Sequence, residues 1–485
     1  MYEEDPMKIL LTHTNILEND PKQKQKMLPY PPLATIQAAA ILRDAGFEVL
    51  FFDPTFHENL TGFNEVLKNF KPDVFLVYED YFNFITKMCL LHMRETAQRM
   101  AKAASEIGAV SIVASPDTSD HPEEFLKEGI DYVLIGEADE TVNDLCHEIM
   151  SGTDPTQSEV SGIAYRLPDG NIRMTAPRQL LRNLDKLPMP AWDLVEVESY
   201  HHAWKKHHGY SSLNLVSSRG CPYSCNWCAK PIWGKHYVQR SVKQVAEEMK
   251  WIYENYKPDH IWFADDIFGL SESWLVEFQK ALSADKTHIN YTIQSRADLL
   301  TPKAISALKK SGCSEIWLGA ESGSQKILDA MNKGIIVEDL RKAVFNLKAS
   351  GIQTGLFIQF GYPGETMEDI LASANLIRET LPDKIGVSVS YPLPGTPFYE
   401  SVKTHMQGKT NWEDSNDLAM LFQGAYESPF YRKLHQVLHE ELDLRHQISV
   451  EGNTESSEVQ ELWKKVMEGW MSLGKMEETL HRGEW

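Results

Sequence analysis

Two blocks of short apolar runs alternating with helix-patterned segments constrain this chain more than any other feature. In the first block, apolar runs at Lys8–Thr12, Glu48–Phe52, Asp73–Tyr78, Ala109–Ala114 and Asp131–Ile135 alternate with helical spacing at Leu33–Asp44, Cys89–Ile107 and Pro122–Glu128. Near-continuous apolar strands separated by helices indicate a parallel sheet covered on both faces. Residues 1–150 are therefore read as a Rossmann-like, doubly wound domain. Its ligand site is expected at the carboxyl ends of the strands, where the strand order reverses. The loops at those ends carry Thr12-His13-Thr14, Glu79-Asp80-Tyr81, Ser115-Pro116-Asp117 and Gly136-Glu137-Ala138. No Gly-x-Gly-x-x-Gly follows the first run, so a dinucleotide is a poor fit.

Residues 151–210 read as a linker with a hairpin signal at Tyr165–Asn171, with Asp169-Gly170 at its turn, and a proline-marked stretch Leu187–Trp192. Alternation resumes with strand-like runs at Leu213–Ser217, His260–Phe263, Asn290–Gln294, Glu315–Gly319, Thr354–Phe360 and Lys384–Ser390. Helical patterns such as Val242–Tyr256, Ser271–Ser283 and Pro302–Ser311 separate them. Repeats of this kind predict a full or partial βα barrel over 211–405, with its chemistry at the strand C-termini. Residues 406–485 read as a mainly helical region containing Trp412, Phe422, Tyr426, Phe430, Tyr431 and Trp463. The expected class is α/β throughout the first two domains.

Charge narrows the partners. The formal net charge is −21 and no long Lys/Arg run is present, which argues against nucleic acid. No apolar stretch reaches the ~18 residues that span a bilayer, and the acidic start, Met1 to Pro6, lacks a signal peptide's pattern. A cytoplasmic protein that does not engage a membrane is the expectation. Cys89, Cys146 and Cys313 are scattered, whereas Cys221, Cys225 and Cys228 fall within eight residues. Cytosolic thiols stay mostly reduced, so the cluster points to a metal before a disulfide.

The clustered cysteines follow the first barrel strand in Arg219-Gly220-Cys221-Pro222-Tyr223-Ser224-Cys225-Asn226-Trp227-Cys228. Gly220 and Pro222 favour a loop in which three thiolates converge. Structural zinc takes four closed ligands, and an ordinary iron–sulfur cubane takes four thiolates. Three cysteines without a fourth leave one iron of a 4Fe-4S cluster open to chelate a substrate or cofactor. The competing reading is a zinc site completed by His207, His208 or His236.

This loop and the segments after it resemble the radical S-adenosylmethionine (radical SAM) superfamily over most of residues 210–400. The resemblance implies an open iron that binds the amino and carboxylate groups of SAM. It implies cleavage of the sulfonium to a 5′-deoxyadenosyl radical that abstracts a substrate hydrogen. Ile261–Phe268 resembles the second-strand segment, with Asp265 or Asp266 in place of the usual Gly-Gly-Glu acid at the SAM amino group. Tyr291–Asp298 resembles the fourth-strand segment, whose polar side chain, here Gln294, binds the ribose. Gly319–Ser324 resembles the next strand end and offers Glu321 as a further SAM contact, with Lys333 a dozen residues on to pair with the carboxylate. Gly361–Thr366 and Pro392–Pro397 resemble two later turns, and Trp227 matches the aromatic laid against adenine.

The N-terminal half resembles the cobalamin-binding branch of that superfamily. The similar segments are Pro31-Pro32-Leu33, Leu42–Gly46, Asp53, Gly136–Thr141 and Leu184–Trp192. No Asp-x-His-x-x-Gly is present, and the surroundings of His13 do not match it, so a corrinoid is expected without a protein histidine as lower ligand. A cofactor-free domain is the competing reading. The resemblance implies an enzyme using a 4Fe-4S cluster, SAM and cobalamin, with an electron donor such as flavodoxin or ferredoxin. Cobalamin-dependent methyl transfer to an unactivated carbon of a small molecule is the leading expectation. Radical cyclisation or rearrangement, as in the anaerobic magnesium-protoporphyrin monomethyl ester cyclase, is the first alternative, and a non-catalytic corrinoid or iron–sulfur carrier the second. A tRNA methylthiotransferase fits poorly, because only Cys89 and Cys146 precede the loop and the chain is acidic.

Overall fold

The computed structural model describes residues 6–153, 157–228, 232–285, 287–406, 408–451 and 457–482. The chain divides into two compact units. The first holds Met1–Pro222, Lys230–Asp266 and Asn411–Asp417, and the second Tyr223–Ala229, Ile267–Thr410 and Leu418–Trp485.

In the first unit, β1 (Lys8–Thr12), β2 (Glu48–Phe52), β3 (Val74–Tyr78), β4 (Val110–Ala114) and β5 (Tyr132–Leu134) are parallel, in the order β2-β1-β3-β4-β5. β3 is buried along its whole length, as its unbroken apolar sequence requires. Helices Leu33–Asp44, Thr61–Phe70, Leu91–Ser105 and Asp139–Met150 alternate with these strands. The chain runs from β1 to β2 on one side and returns to β3 on the other, so the switch point lies at the ends of β1 and β3.

The hairpin assigned above to a linker instead lengthens this sheet. β6 (Ile163–Arg166) pairs antiparallel with β5, and β7 (Ile172–Met174) pairs antiparallel with β6. Asp169-Gly170 lies at its turn: the Gly170 N–H, at φ +87°, donates to the Leu167 carbonyl at 2.9 Å, the Leu167 N–H to the Asn171 carbonyl at 2.8 Å, and the Asp169 carboxylate accepts from the Asn171 N–H at 2.9 Å.

The second block begins with β8 (Ser212–Leu215), followed by the two-stranded ribbon of β9 (Ser218–Gly220) and β10 (Tyr237–Gln239). Next come β11 (His260–Phe263), β12 (Asn290–Ser295), β13 (Cys313–Glu321), β14 (Gln353–Phe360) and β15 (Lys384–Val389). The six-stranded sheet runs β15-β14-β13-β12-β11-β8, with β8 and β15 as its edges. The barrel is therefore partial. In chain order β12 is the third strand of this sheet, so the Tyr291–Asp298 segment, expected on the fourth, lies one strand earlier and Glu321 ends the fourth.

One face of β13, β14 and β15 is mostly aliphatic or aromatic and buried, with Ile316, Leu318, Leu356, Ile358, Phe360 and Val389 beside the buried Thr354. Helices Pro302–Ser311 and Val337–Ala349 pack in the same unit. The mainly helical C-terminal region begins only at Ser428, with helices Ser428–Glu451 and Ser457–Arg482. Before them, Asn411–Asp417 is irregular and belongs to the first unit, where the Asn411 side chain donates to the Cys89 carbonyl at 2.9 Å and the Ser415 N–H to Asp20 at 3.0 Å. Its sequence, Asn-Trp-Glu-Asp-Ser-Asn-Asp, is rich in side chains that bond to backbone and favour turns over helix. Among the described residues no helix is long and apolar enough to cross a membrane.

Candidate functional site

The cysteine loop leaves β9 at Gly220, whose φ is +77° and whose missing side chain makes room for a neighbour: a Cβ there would lie 2.2 Å from the His236 carbonyl oxygen. Only glycine meets both demands. Cys221, Cys225 and Cys228 follow, each half-buried.

In the first unit the approach to this loop is held by buried charge. Arg219 bonds Glu137 at 2.6 Å through Nη1 and brackets Asp139 at 2.9 and 3.1 Å through both terminal nitrogens. The Trp233 Nε1–H donates to Glu137 at 3.2 Å. Burial works against the guanidinium's charge, but Asp139 and Glu137 outweigh it and keep Arg219 protonated. The Gly136–Thr141 motif of the N-terminal domain thus grips the residue two before Cys221. Asp265 is also buried. Its carboxylate accepts from the Ser217 N–H at 3.0 and 3.1 Å, from the Ser217 hydroxyl at 2.7 Å and from the Ser218 hydroxyl. Burial pushes its pKa up to about 6, the serine hydrogen bonds pull it back, and Asp266 adds repulsion. Asp266 itself pairs with Lys87.

Beside these ion pairs lies a small cleft lined by Leu33, Gln37, Phe82, Pro188, Arg219 and Arg240, among others. At the switch point of the first sheet, Glu79 is fully buried. Thr14 donates to its Oε1, while Oε2 has no partner in the protein. Burial raises its pKa above the ordinary carboxylate value, against the lowering pull of His13 and Thr14. His13 has both ring nitrogens engaged: Nδ1 accepts from the Asn15 N–H at 3.2 Å and Nε2 meets Asp53 at 3.1 Å. Tyr200 donates to the same Asp53 at 2.7 Å. For Asp53, burial alone would raise the pKa, but His13 and the hydroxyl donors lower it below the ordinary value.

In the second unit the loop is strapped at Asn226. Its N–H donates to the Met331 carbonyl at 3.0 Å and its side-chain NH₂ to the Ala330 carbonyl at 2.6 Å. The Tyr362 hydroxyl donates to its Oδ1 at 2.9 Å, and the Phe398 N–H to its carbonyl at 3.0 Å. Arg296 lies over the Tyr223 ring, 3.7 Å from its centroid, and donates to the Lys333 carbonyl at 2.9 Å. Lys333 is buried and pairs with Glu321 at 2.7 Å, with its ammonium 6.0 Å from the Trp227 ring centroid. Burial alone would lower the Lys333 pKa, but Glu321 and the Cys225 thiol outweigh it and raise the value. Glu321 sits at φ +59°, just past a register shift in the β13·β14 pairing. A non-glycine residue in this region is costly and is sustained only when its surroundings hold it. The pair lies over Gly319, where a Cβ would come within 2.7 Å of Lys333 Nζ and 2.8 Å of Glu321. Trp227 Nε1 is buried without a partner.

The predicted residues therefore fall into two sets. Trp227, Glu321 and Lys333 converge in the second unit, and half-buried Gln294 stands on β12 in register with Trp317. Asp265 and Asp266 lie in the first unit, committed to Ser217, Ser218 and Lys87. Sequence reasoning passed over Arg219, Asn226 and Arg296. The polar residue between two clustered cysteines and the arginine before the glycine were the available signals. Of the proposed zinc-completing histidines, His208 contacts the Lys26 and Met27 carbonyls at 3.0 Å.

An α/β chain with a doubly wound first sheet, a partial parallel barrel and a three-cysteine loop after the barrel's first strand has the architecture of a radical SAM protein. Residues 215–377 match the model of the radical SAM superfamily, so this stretch of the chain is a radical SAM domain. It is 27% identical over 389 residues to an uncharacterized methyltransferase of Pyrococcus horikoshii, covering 79% of this chain and 81% of that one. It is 24% identical over 387 residues to the anaerobic magnesium-protoporphyrin IX monomethyl ester cyclase of Rubrivivax gelatinosus, covering 77% of this chain and 66% of the cyclase. In fold it is similar to the radical SAM methyltransferase TsrM of Kitasatospora setae, solved with cobalamin and a 4Fe-4S cluster, at TM-score 0.68 and 19% identity over 82% of this chain and 75% of TsrM. It is also similar to the cobalamin-dependent radical enzyme OxsB, solved with aqua-cobalamin and SAM, at TM-score 0.71 and 16% identity over 97% of this chain and 72% of OxsB.

Proposed function

We propose that this chain is a cobalamin-dependent radical SAM methyltransferase acting on a small molecule in the cytoplasm, with flavodoxin or ferredoxin as electron donor. In this reading Cys221, Cys225 and Cys228 hold a 4Fe-4S cluster. Trp227, Gln294, Glu321 and Lys333 receive SAM, with Asp265 and Asp266 bracing the loop's approach. The C-terminal edge of the first sheet, with Glu79 and with His13 already engaged by Asn15 and Asp53, would hold the corrinoid. When bound, the cluster supplies the electron that cleaves SAM to a 5′-deoxyadenosyl radical, and the corrinoid supplies the transferred methyl group.

The residues present fit these groups. Three half-buried thiols on one loop are the donors that a cluster with an open iron would take, although among the described residues no group of three His, Cys, Asp or Glu side chains is gathered to hold a metal ion. The orphaned Trp227 Nε1 and the Lys333 ammonium offer donors in one place. Lys333 orients a carboxylate, and Glu321 keeps Lys333 charged while it waits. At the first sheet, Glu79 has Oε1 taken by Thr14, which leaves Oε2 as an unpartnered polar atom that a corrinoid carboxamide would answer.

The observation that carries this reading is the three-thiol loop set within a fold similar to OxsB over 97% of this chain. Identity to the cyclase over 77% of the chain supports a second reading, radical cyclisation. Anaerobic reconstitution with cluster and cobalamin, followed by assay of 5′-deoxyadenosine and S-adenosylhomocysteine after reduction, separates them. Retained corrinoid with both products is the expected result. Retained corrinoid with 5′-deoxyadenosine alone favours cyclisation, and 5′-deoxyadenosine without retained corrinoid overturns both.

A further inference from the structure

The second face of β13, β14 and β15 is unlike the first. Successive strand residues alternate between faces, so Trp317, Gly319, Gly355, Phe357, Gln359, Gly386 and Ser388 share one side, as the register pairs Trp317 with Gly355, Phe357 with Gly386 and Gln359 with Ser388 confirm. Trp317, Phe357, Gly386 and Ser388 are half-exposed, whereas the opposite face is sealed.

The residues form layers along the strands. At the start of β13, Glu315 accepts from the Trp317 Nε1–H at 2.5 Å and pairs with Lys384 at 2.5 Å. Next, Trp317 and Phe357 stack with centroids 4.7 Å apart and planes 26° apart. They lie on a glycine floor. A Cβ at Gly355 would fall 2.4 Å from the Trp317 ring, and one at Gly386 would come 3.1 Å from Phe357 and 3.3 Å from Trp317. The third layer carries the Lys333–Glu321 pair over Gly319, with Gln359 two residues beyond Phe357, roughly 7 Å along the strand.

Gln359 is the anomaly. It is 2% exposed, and neither its Oε1 nor its Nε2 has a partner. Leaving both a donor and an acceptor unmet is costly, and a buried amide is normally bonded on both sides. Every charged group named on this face is already paired: Glu315 with Lys384, and Lys333 with Glu321. The face therefore carries a half-exposed, stacked Trp317–Phe357 pair and, beside it, a buried amide whose donor and acceptor are both unmet, with no unopposed charge among the groups named.

We propose that Trp317, Phe357 and Gln359 form the substrate seat and select a flat, uncharged ring system bearing a carboxamide or lactam, whose N–H and C=O answer the two orphaned atoms of Gln359. The proposal rests on the radical SAM reading above and names its substrate class. An anionic substrate, such as a phosphonate or a carboxylate, would meet no unopposed cation there. The orphaned amide weakens the empty protein and is satisfied only when substrate arrives, which trades stability for selectivity.

The test is calorimetric titration of the full-length reconstituted protein with two matched probes, quinoline-3-carboxamide and quinoline-3-carboxylate. The carboxamide is expected to bind the wild type roughly tenfold more tightly, since the carboxylate adds a charge and loses the donor. Gln359→Met is expected to remove most of that preference, to leave SAM affinity at its wild-type value and to melt at a higher temperature without ligand. Trp317→Leu is expected to weaken both probes alike. Equal binding of the two probes, binding of neither, an unchanged preference in Gln359→Met, or weakened SAM binding in that variant would each overturn the proposal. A wild type that prefers the carboxamide yet yields no 5′-deoxyadenosine sinks the radical reading and leaves the seat standing.

Discussion

Two buried ion-pair centres flank the cysteine loop in sequence, and they differ in a way that separates support from reception. Before the loop, Arg219 bonds Glu137 and both oxygens of Asp139, and Ser217 and Ser218 fill the carboxylate of Asp265, which follows the loop in sequence. No atom there waits for a ligand. After it, Lys333 has a single carboxylate partner, Glu321 holds a costly backbone conformation at φ +59°, and Trp227 Nε1 has nothing to bond. Saturated polar clusters make rigid scaffold, and undersaturated ones mark where another molecule completes the set. The first centre should respond to mutation through stability, the second through ligand affinity.

The largest expected effect comes from the loop between them. Replacing any one of Cys221, Cys225 or Cys228 by alanine should abolish both the visible absorbance of the reconstituted cluster and 5′-deoxyadenosine formation, while far-ultraviolet circular dichroism stays native. A variant that keeps its cluster would remove that cysteine from the ligand set.

Arg219→Met is next. It leaves Glu137 and Asp139 buried without their counter-charge, and breaking a buried pair this way costs about 3–5 kcal/mol. Chemical denaturation should register that loss. A stability close to wild type, with only SAM affinity reduced, would erase the contrast between the centres.

The pH dependence of Asp265 sharpens it further. Its folded pKa, about 6, lies above the ordinary 3.8, so between those values the folded state binds more protons than the unfolded state. Stability from this group is therefore greatest below pH 4 and declines as pH rises to about 6, by at most about 3 kcal/mol. Asp265→Asn should flatten that limb in denaturation curves recorded across the window. An identical slope in the variant assigns the titration elsewhere.

The smallest effect should come from Gly319→Ala. The added methyl would press on Lys333 Nζ and Glu321, two mobile head groups rather than backbone. We expect a roughly tenfold loss in SAM affinity, about 1.4 kcal/mol, with a melting temperature within a few degrees of wild type. Gly220→Ala is the contrasting control, because its methyl would meet the His236 backbone carbonyl and the fold would suffer first.

Much of this was legible in the residues themselves. Apolar runs placed β1, β2 and β11 to the residue, and helices Leu33–Asp44, Val242–Tyr256 and Pro302–Ser311 equally so. The spacing of Cys221, Cys225 and Cys228 placed three thiols on one loop. The same patterning could not tell that the Tyr165–Asn171 hairpin joins the first sheet, because edge pairing depends on which strand is left unsatisfied nearby. Nor could it tell that Asp265 is filled by Ser217 and Ser218 while Lys333 has Glu321 as its one carboxylate partner. Only the count of their partners separates them.

The sequence by itself determined the order of strands and helices and the loop that carries the three thiols, because periodicity, turn residues and ligand spacing act over a few residues. Only the tertiary structure decided that Arg219 reaches Asp139, that Asn226 is tied to Ala330 and Met331, and that Gln359 shares a face with Trp317 and Phe357 while bonding to nothing. Those facts join residues tens of positions apart. They are set by register and packing, which no local pattern encodes.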